Sequence, residues 1–245
     1  MEPVSDKKIF DRIEKKCLIT AKQKQHMLEA IDKHMQKDHY FKSEVFNIYL
    51  DTENYDLIIK SIDQPIFKEK LRARSYAGYN KVFFEIKTKL RGKDNNVGYK
   101  RRVCVTKKEY RDIVNGKASV CDTVAKHTDD KSDLQIAKET DYLMDLFKLK
   151  PRILVFYVRE SYQGEDALRI TFDEDLKYRT KNVNFTKNKT DKHFFENEKN
   201  IIMEIKAHGV LPLWLVRKLS EEKIFPEQFS KVGKIYEKLR KENNV

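Results

Sequence analysis

The 245-residue sequence predicts an α+β fold: one antiparallel sheet with helices packed on its outside and at its ends. Three observations carry that reading. Five short runs alternate charged with apolar residues: Arg12-Ile-Glu14-Lys-Lys16, Leu71-Arg72-Ala73-Arg74, Phe84-Glu85-Ile86-Lys87, Leu168-Arg169-Ile170-Thr171 and Met203-Glu204-Ile205-Lys206. Strand side chains point to opposite faces at every second residue, so each run gives one charged face and one apolar face. Segments between the runs space their apolar residues as helices do. No internal repeat and no linker divides the chain, so residues 1–245 read as a single domain. A sheet closed with its charged face inward is a basic tunnel.

The elements follow in order. Residues 8–18 read as a first strand, and Thr20 as the N-cap of a helix to about Lys37, with Met27, Leu28, Ile31 and Met35 on one face. Val45–Leu50 reads as a strand, 56–62 as helix or strand. Strands are expected at 68–76 and 81–89, joined by the turn residues Ala77-Gly78-Tyr79-Asn80, and again at Lys100–Thr106. Residues 107–150 change character and read as a helical insertion, with Thr106 as a cap and Gly116 as a stop. Strands resume at Ile153–Arg159, Ala167–Phe172 and, after a polar stretch at 179–199, at 201–206. Leu211–Ser220 is expected to be helical, and Pro226 to open a last helix through Tyr236 and Leu239.

Composition narrows the function. Hydrophobic residues make up 40% of the chain, enough for a packed core. Cys17, Cys104 and Cys121 have no paired short spacing, which argues against a disulfide framework or a zinc site and for a reducing, cytoplasmic location. No run approaches the roughly 20 apolar residues that span a bilayer. The net charge is +12, and residues 66–110 hold 14 Lys or Arg against 4 Asp or Glu. Any single lysine there reads as solvated surface, but the concentration points to a polyanionic partner.

Glu14 and Lys16, Glu85 and Lys87, and Glu204 and Lys206 are each two residues apart and share a strand face. An exposed ion pair explains any one of them. Three together, beside Arg72 and Arg74, fit a phosphoryl-transfer site, which needs cations on phosphate oxygens and carboxylates for a divalent ion. A glycine-rich phosphate loop is absent. The six histidines form no ligand cluster, so His26 and His34 read as helix-surface residues, and an oxygen-rich metal site suits Mg²⁺ or Mn²⁺. Tyr76, Tyr79 and Tyr99, which nucleic-acid binding would use for base stacking, are expected to pack or cap the barrel.

These residues resemble the VTC domain, the polyphosphate polymerase branch of the triphosphate tunnel (CYTH-like) superfamily. The resemblance runs through Arg12-x-Glu14-x-Lys16, Tyr49-Leu-Asp51-Thr52, Leu71-Arg-Ala-Arg74-Ser-Tyr76, Phe84-Glu-Ile-Lys87, Tyr157-Val-Arg159, Arg169-Ile-Thr-Phe-Asp173, Glu204-x-Lys206 with Leu211-Pro212-x-Trp214, and Phe229-Ser-Lys231. It implies an antiparallel eight-stranded β-barrel tunnel that transfers the γ-phosphoryl group of ATP to inorganic polyphosphate with Mn²⁺ or Mg²⁺. Lys16, Arg72, Arg74, Lys87, Arg159, Arg169, Lys206 and Lys231 would grip phosphates, and Glu204 and Glu14 would hold the metal. Glu85, Arg12 and Arg102 are secondary candidates. No nucleic-acid partner is expected, and there is room for a membrane-protein partner that receives the polymer. Arg12 stands where superfamily hydrolases carry the first of two glutamates, which favours polymerase over hydrolase. A tunnel triphosphatase and a non-catalytic polyanion-binding module are the alternatives.

Overall fold

A computed structural model describes residues 12–63, 66–91, 96–195, 200–228 and 230–242. The elements are β1 (Arg12–Ile19), α1 (Ala21–His34), β2 (Gln36–Asp51), α2 (Asp56–Ile62), β3 (Phe67–Tyr76), β4 (Lys81–Arg91), β5 (Asn96–Thr106), α3 (Lys107–Val114), α4 (Val120–Val124), α5 (Lys131–Leu146), β6 (Lys150–Gln163), β7 (Arg169–Arg179), β8 (Lys192–His193), β9 (Ile201–His208), α6 (Leu213–Glu221) and α7 (Lys231–Glu242). The class is α+β, as expected. The strand order is β1-β9-β7-β6-β2-β3-β4-β5, with the two-residue β8 on β7. Among the described residues eight long strands are therefore present, and every ladder with a defined register is antiparallel. Among the described residues no ladder joins β1 to β5, so the expected barrel is met in strand number and direction but not in ladder closure. Residues 1–11 and 92–95, next to those two edge strands, lie outside the described residues, as does the start of the expected first strand.

The chain forms two compact units. One comprises residues through Ser43, Tyr157–Leu176 and Phe195–Phe229; the other comprises Glu44–Phe156, Lys177–Phe194 and Ser230 onward. In the first unit β1 pairs with β9 from Arg12↔His208 to Ile19↔Ile201, and β9 pairs with β7. The apolar parity of these strands (Cys17, Ile19, Ile170, Phe172, Met203, Ile205, Ala207) packs with Met27 and Ile31 of α1 and Leu215 of α6. Helix α1 starts where the sequence indicated. The Thr20 hydroxyl accepts from the Gln23 amide at 3.2 Å, and the Gln23 side chain accepts from the Thr20 amide at 2.9 Å. Thr20→Ala is expected to cost about 1 kcal/mol and lower the melting temperature by about 2–4 °C, as read by calorimetry. His26 and His34 do sit on this helix: His26 Nδ1 lies 2.8 Å from Glu222 Oε2, and His34 stacks on Trp214.

In the second unit β2, β3, β4 and β5 form a meander. Its apolar parity (Ile48, Leu50, Leu71, Ala73, Phe84, Ile86, Val103, Val105) packs under α3, α4 and α5 through Tyr110, Ile113, Val120, Val124, Ala137 and Leu143. The helical insertion at 107–150 is these three helices. Gly78 sits at φ +78° in the β3–β4 turn and Gly116 at +73° after α3, backbone positions that glycine occupies without strain. The ambiguity at 56–62 resolves as helix because buried Asp51 accepts from the amides of Leu57 at 3.0 Å and Ile58 at 2.9 Å. That aspartate is a helix cap, and burial pushes its pKa up against those bonds.

The last helix corrects the sequence reading. It begins at Lys231, not at Pro226, because Ser230 supplies the cap: its hydroxyl accepts from Gly233 N at 3.2 Å and its carbonyl from Lys234 N at 2.9 Å. Pro226 lies in a non-helical segment whose next residue, Glu227, donates its amide to the Lys16 carbonyl at 2.7 Å. Among the described residues no helix is long and apolar enough to cross a membrane.

Candidate functional site

The charged parity of β3, β4 and β5 converges on one carboxylate. The register sets Arg72 opposite Glu85, Glu85 opposite Arg102, and Lys87 between Lys70 and Lys100. Glu85 is fully buried. Its Oε2 receives Arg72 Nε at 2.6 Å and Nη2 at 2.5 Å, Arg74 Nε lies 4.0 Å from it, and Lys100 Nζ is 2.7 Å from Oε1. Burial alone would raise the Glu85 pKa, but Arg72, Arg74 and Lys100 outweigh it and hold it at about 2. Arg74 Nε also donates to Asn47 Oδ1 at 2.9 Å, which fixes its direction. Glu85 is therefore a clamp for arginines, and the side chains that remain on offer to a ligand are cationic.

Lys87 shares this face, and burial followed by the fields of Arg72 and Arg74 pushes its pKa down to about 6. At neutral pH it is neutral in the folded chain and charged in the unfolded one. Its contribution to stability therefore rises with pH between about 6 and 10.5, where the unfolded state binds the extra proton. A bound phosphate chain reverses the sign of the local field. Titration with tripolyphosphate near pH 7.5, in buffers of different ionisation enthalpy, is expected to reveal uptake of about one proton, and Lys87→Met to remove it. Equal heats in all buffers would rule out this role for Lys87.

The charged parity of β1, β7 and β9, with the first-unit part of β6, is balanced. Glu14 lies opposite Lys206, Lys16 opposite Glu204, Arg169 opposite Lys206, and Thr171 opposite Glu204. Lys206 Nζ is 2.9 Å from Glu204 Oε1, and Arg159 Nη2 is 3.5 Å from Oε2. Arg159 also forks onto Asp173 through Nε at 2.6 Å and Nη2 at 2.8 Å. Arg169 is held by Asp38 at 2.9 Å and by the Ser161 hydroxyl at 3.0 Å. Burial raises the Glu204 pKa, but Lys206, a hydrogen bond with Glu14, Arg159 and Lys16 together hold it far below the usual carboxylate range.

The sequence-selected residues thus fall in two groups. Arg72, Arg74, Lys87, Glu85 and Arg102 share the second unit's face, where Arg102 lies over the Phe83 ring at 5.0 Å. Lys16, Glu14, Arg159, Arg169, Glu204 and Lys206 share the first unit's. Lys231 opens α7. Arg12 opens β1 opposite His208, and its side chain, like Phe229, lies outside the described residues. Glu85, a secondary candidate from the sequence, lies against Arg72, Arg74 and Lys100. Tyr76 packs edge-on to Phe83, whereas Tyr79 and Tyr99 are 51% and 61% exposed and pack nothing closed. Sequence reasoning missed Lys100, Asn47, Asp38 and Ser161. Lys100 keeps parity with Arg102 and was within reach; Asp38 and Ser161 come from strands without an alternating charge signal.

Glu14 and Glu204 stand diagonally across the β1–β9 ladder, two oxygen donors of the type a hard divalent ion takes, and Thr171 Oγ1, across the ladder from Glu204, is buried without a partner. Among the described residues no group of three or more His, Cys, Asp or Glu stands ready for a metal. Two carboxylates, with substrate phosphates completing the shell, suit Mg²⁺-type nucleotide chemistry.

The profile described as the VTC domain matches residues 11–240 of this chain. Its fold is similar to that of a putative adenylyl cyclase from Hippeastrum, described as having a dominant triphosphatase activity, at 15% identity and a TM-score of 0.54 over 91% of this chain and 93% of that one. A Pyrococcus horikoshii protein, at 16% identity and a TM-score of 0.47, is matched over 92% of this chain and 99% of its own.

Proposed function

The chain belongs to the VTC domain family, and from that premise we propose that it is a polyphosphate polymerase, transferring the γ-phosphoryl group of ATP to a growing inorganic polyphosphate chain. The observation that carries the reading is the face on which Arg72, Arg74 and Lys100 are anchored on buried Glu85. Phosphoryl transfer through a loose transition state asks the protein for position and charge more than for covalent chemistry. Guanidinium forks bind non-bridging oxygens in fixed geometry, while lysines act as point charges. Anchoring the arginines in advance lowers the ordering cost of that binding.

Glu14 and Glu204 would hold Mn²⁺ or Mg²⁺, which when bound supplies further neutralisation of the triphosphate. Lys206 and Arg159 help keep Glu204 ionised for it, Lys16 lies 3.4 Å from Glu14, and Arg159, forked on Asp173, has Nη1 to offer a phosphate oxygen. Lys206, Lys16 and Arg169 bind the same anion, while Lys231, at the first turn of α7, is a further phosphate ligand. Arg12 in the place of a hydrolase glutamate supports transfer to phosphate over transfer to water.

The test is incubation of the purified protein with ATP and Mn²⁺. Long acid-labile polyphosphate and ADP are the expected products. Orthophosphate or pyrophosphate alone would overturn the polymerase in favour of a tunnel triphosphatase, and no turnover with retained polyanion binding would leave a binding module.

A further inference from the structure

Arg72, Arg74, Arg159 and Arg169 differ in what holds them. The side chains of the first three are 9%, 12% and 14% exposed, so packing already restricts their rotamers. Each also lies on a buried polar partner, Glu85, Asn47 or Asp173. Arg169 is 47% exposed, and packing alone does not fix its guanidinium. Its direction comes from the next two strands in the sheet order. Nε donates to the Ser161 hydroxyl of β6 at 3.0 Å, and Nη2 lies 2.9 Å from Asp38 Oδ2 of β2. Ser161 in turn donates to that same Asp38 oxygen at 3.0 Å.

A serine hydroxyl has one proton to give and lone pairs that accept. Here the proton goes to Asp38 and a lone pair takes Arg169, so the hydroxyl is set in direction at both ends. Ser161 is fully buried, and it stands two residues from Arg159, on the same strand face. The three side chains close a triangle of hydrogen bonds across β2, β6 and β7, all within the first unit. That triangle occupies the Nε–Nη2 edge of the guanidinium and leaves Nη1 for a phosphate oxygen.

We propose that Ser161 and Asp38 are positioning residues for phosphate binding: together they hold Arg169 in its binding direction before a ligand arrives. The proposal rests on the reading of Arg169 as a phosphate ligand, and it adds two residues that bring no positive charge of their own. Without them the ligand has to order a long, half-exposed side chain as it binds, and affinity falls by that ordering cost.

The experiment is calorimetric titration of the intact protein with linear inorganic tripolyphosphate at one fixed Mn²⁺ concentration. Ser161→Ala changes no charge and is expected to weaken binding about five- to tenfold, the scale of immobilising one long side chain at a binding site. Ser161→Thr keeps the hydroxyl and should recover most of that loss. In an Arg169→Gln background the Ser161→Ala step should change affinity less than about twofold, because the residue it acts through is gone. Asp38→Ala is read as a ratio between the same two backgrounds. It relieves repulsion of the anion in both but loosens Arg169 only in the parent, so the ratio should again be about five- to tenfold. Far-ultraviolet dichroism and a melting curve check that each variant is folded, and Asp38→Ala carries the test if the buried Ser161→Ala does not fold. Equal effects in the two backgrounds, or unchanged affinity in the parent background, overturn the proposal and leave the triangle as a tie between strands. If Arg169→Gln itself leaves tripolyphosphate affinity unchanged, the proposal falls with the role of Arg169. The polymerase reading fails by a different result, the absence of ADP and polymer in the turnover assay, so the two can fall separately.

Discussion

Glu85→Gln is expected to lower the melting temperature by roughly 6–20 °C, the largest stability effect of any single substitution at the site. The side chain is buried and receives Arg72 at 2.6 Å and Lys100 at 2.7 Å. Removing one member of a buried ion-pair cluster leaves uncompensated charge and costs about 3–5 kcal/mol, and in a chain of this size each kcal/mol moves the midpoint by about 2–4 °C. The sign with ligand is the discriminating part. Tripolyphosphate replaces the missing negative charge, so it should stabilise the variant by more degrees than the parent. A midpoint within about 2 °C of the parent, or equal ligand-induced shifts, would show that Glu85 does not anchor the arginines.

Glu204→Gln carries the largest expected loss of activity, on the order of 100-fold or more in kcat, a scale set by deletion of a single transition-state stabilising group. Its stability cost should be smaller than that of Glu85→Gln, because Arg159 keeps its fork on Asp173 at 2.6 and 2.8 Å when Glu204 is neutralised. ADP release measured against Mn²⁺ concentration is the readout. The parent should saturate, and the variant should need at least tenfold more metal or fail to saturate. Unchanged metal dependence would remove Glu204 from the metal site.

Much of this architecture was legible because strand parity is a local property. Arg72/Arg74, Glu85/Lys87 and Glu204/Lys206 place themselves on the charged face from their spacing alone, and Thr20 and Thr106 announce their helices through capping boxes the structure contains. What was not legible depends on contacts between distant strands. Glu85 and Glu204 sit in the same Glu-x-Lys pattern, yet one is enclosed by Arg72, Arg74 and Lys100 and the other by Lys206 and Arg159. Only the neighbouring strands decide which cations each carboxylate meets. Pro226 misled for a related reason: its ring suits a helix start, but the amide after it is used by Lys16 on β1, and the hydroxyl that starts the helix belongs to Ser230.

The pairing of β1 with β9 also bears on how the chain is made. Ile19 and Ile201 are ladder partners, so at ribosomal rates roughly 180 residues, or on the order of 10–40 s of synthesis, separate the emergence of one from that of the other. During that interval Cys17, Ile19, Met27 and Ile31, all destined for one apolar core, have no sheet to cover them. The β3–β4–β5 meander, built from neighbouring strands, has its partners as soon as it leaves the ribosome. The nascent chain should therefore complete its β3–β5 face first and its β1–β9 face last.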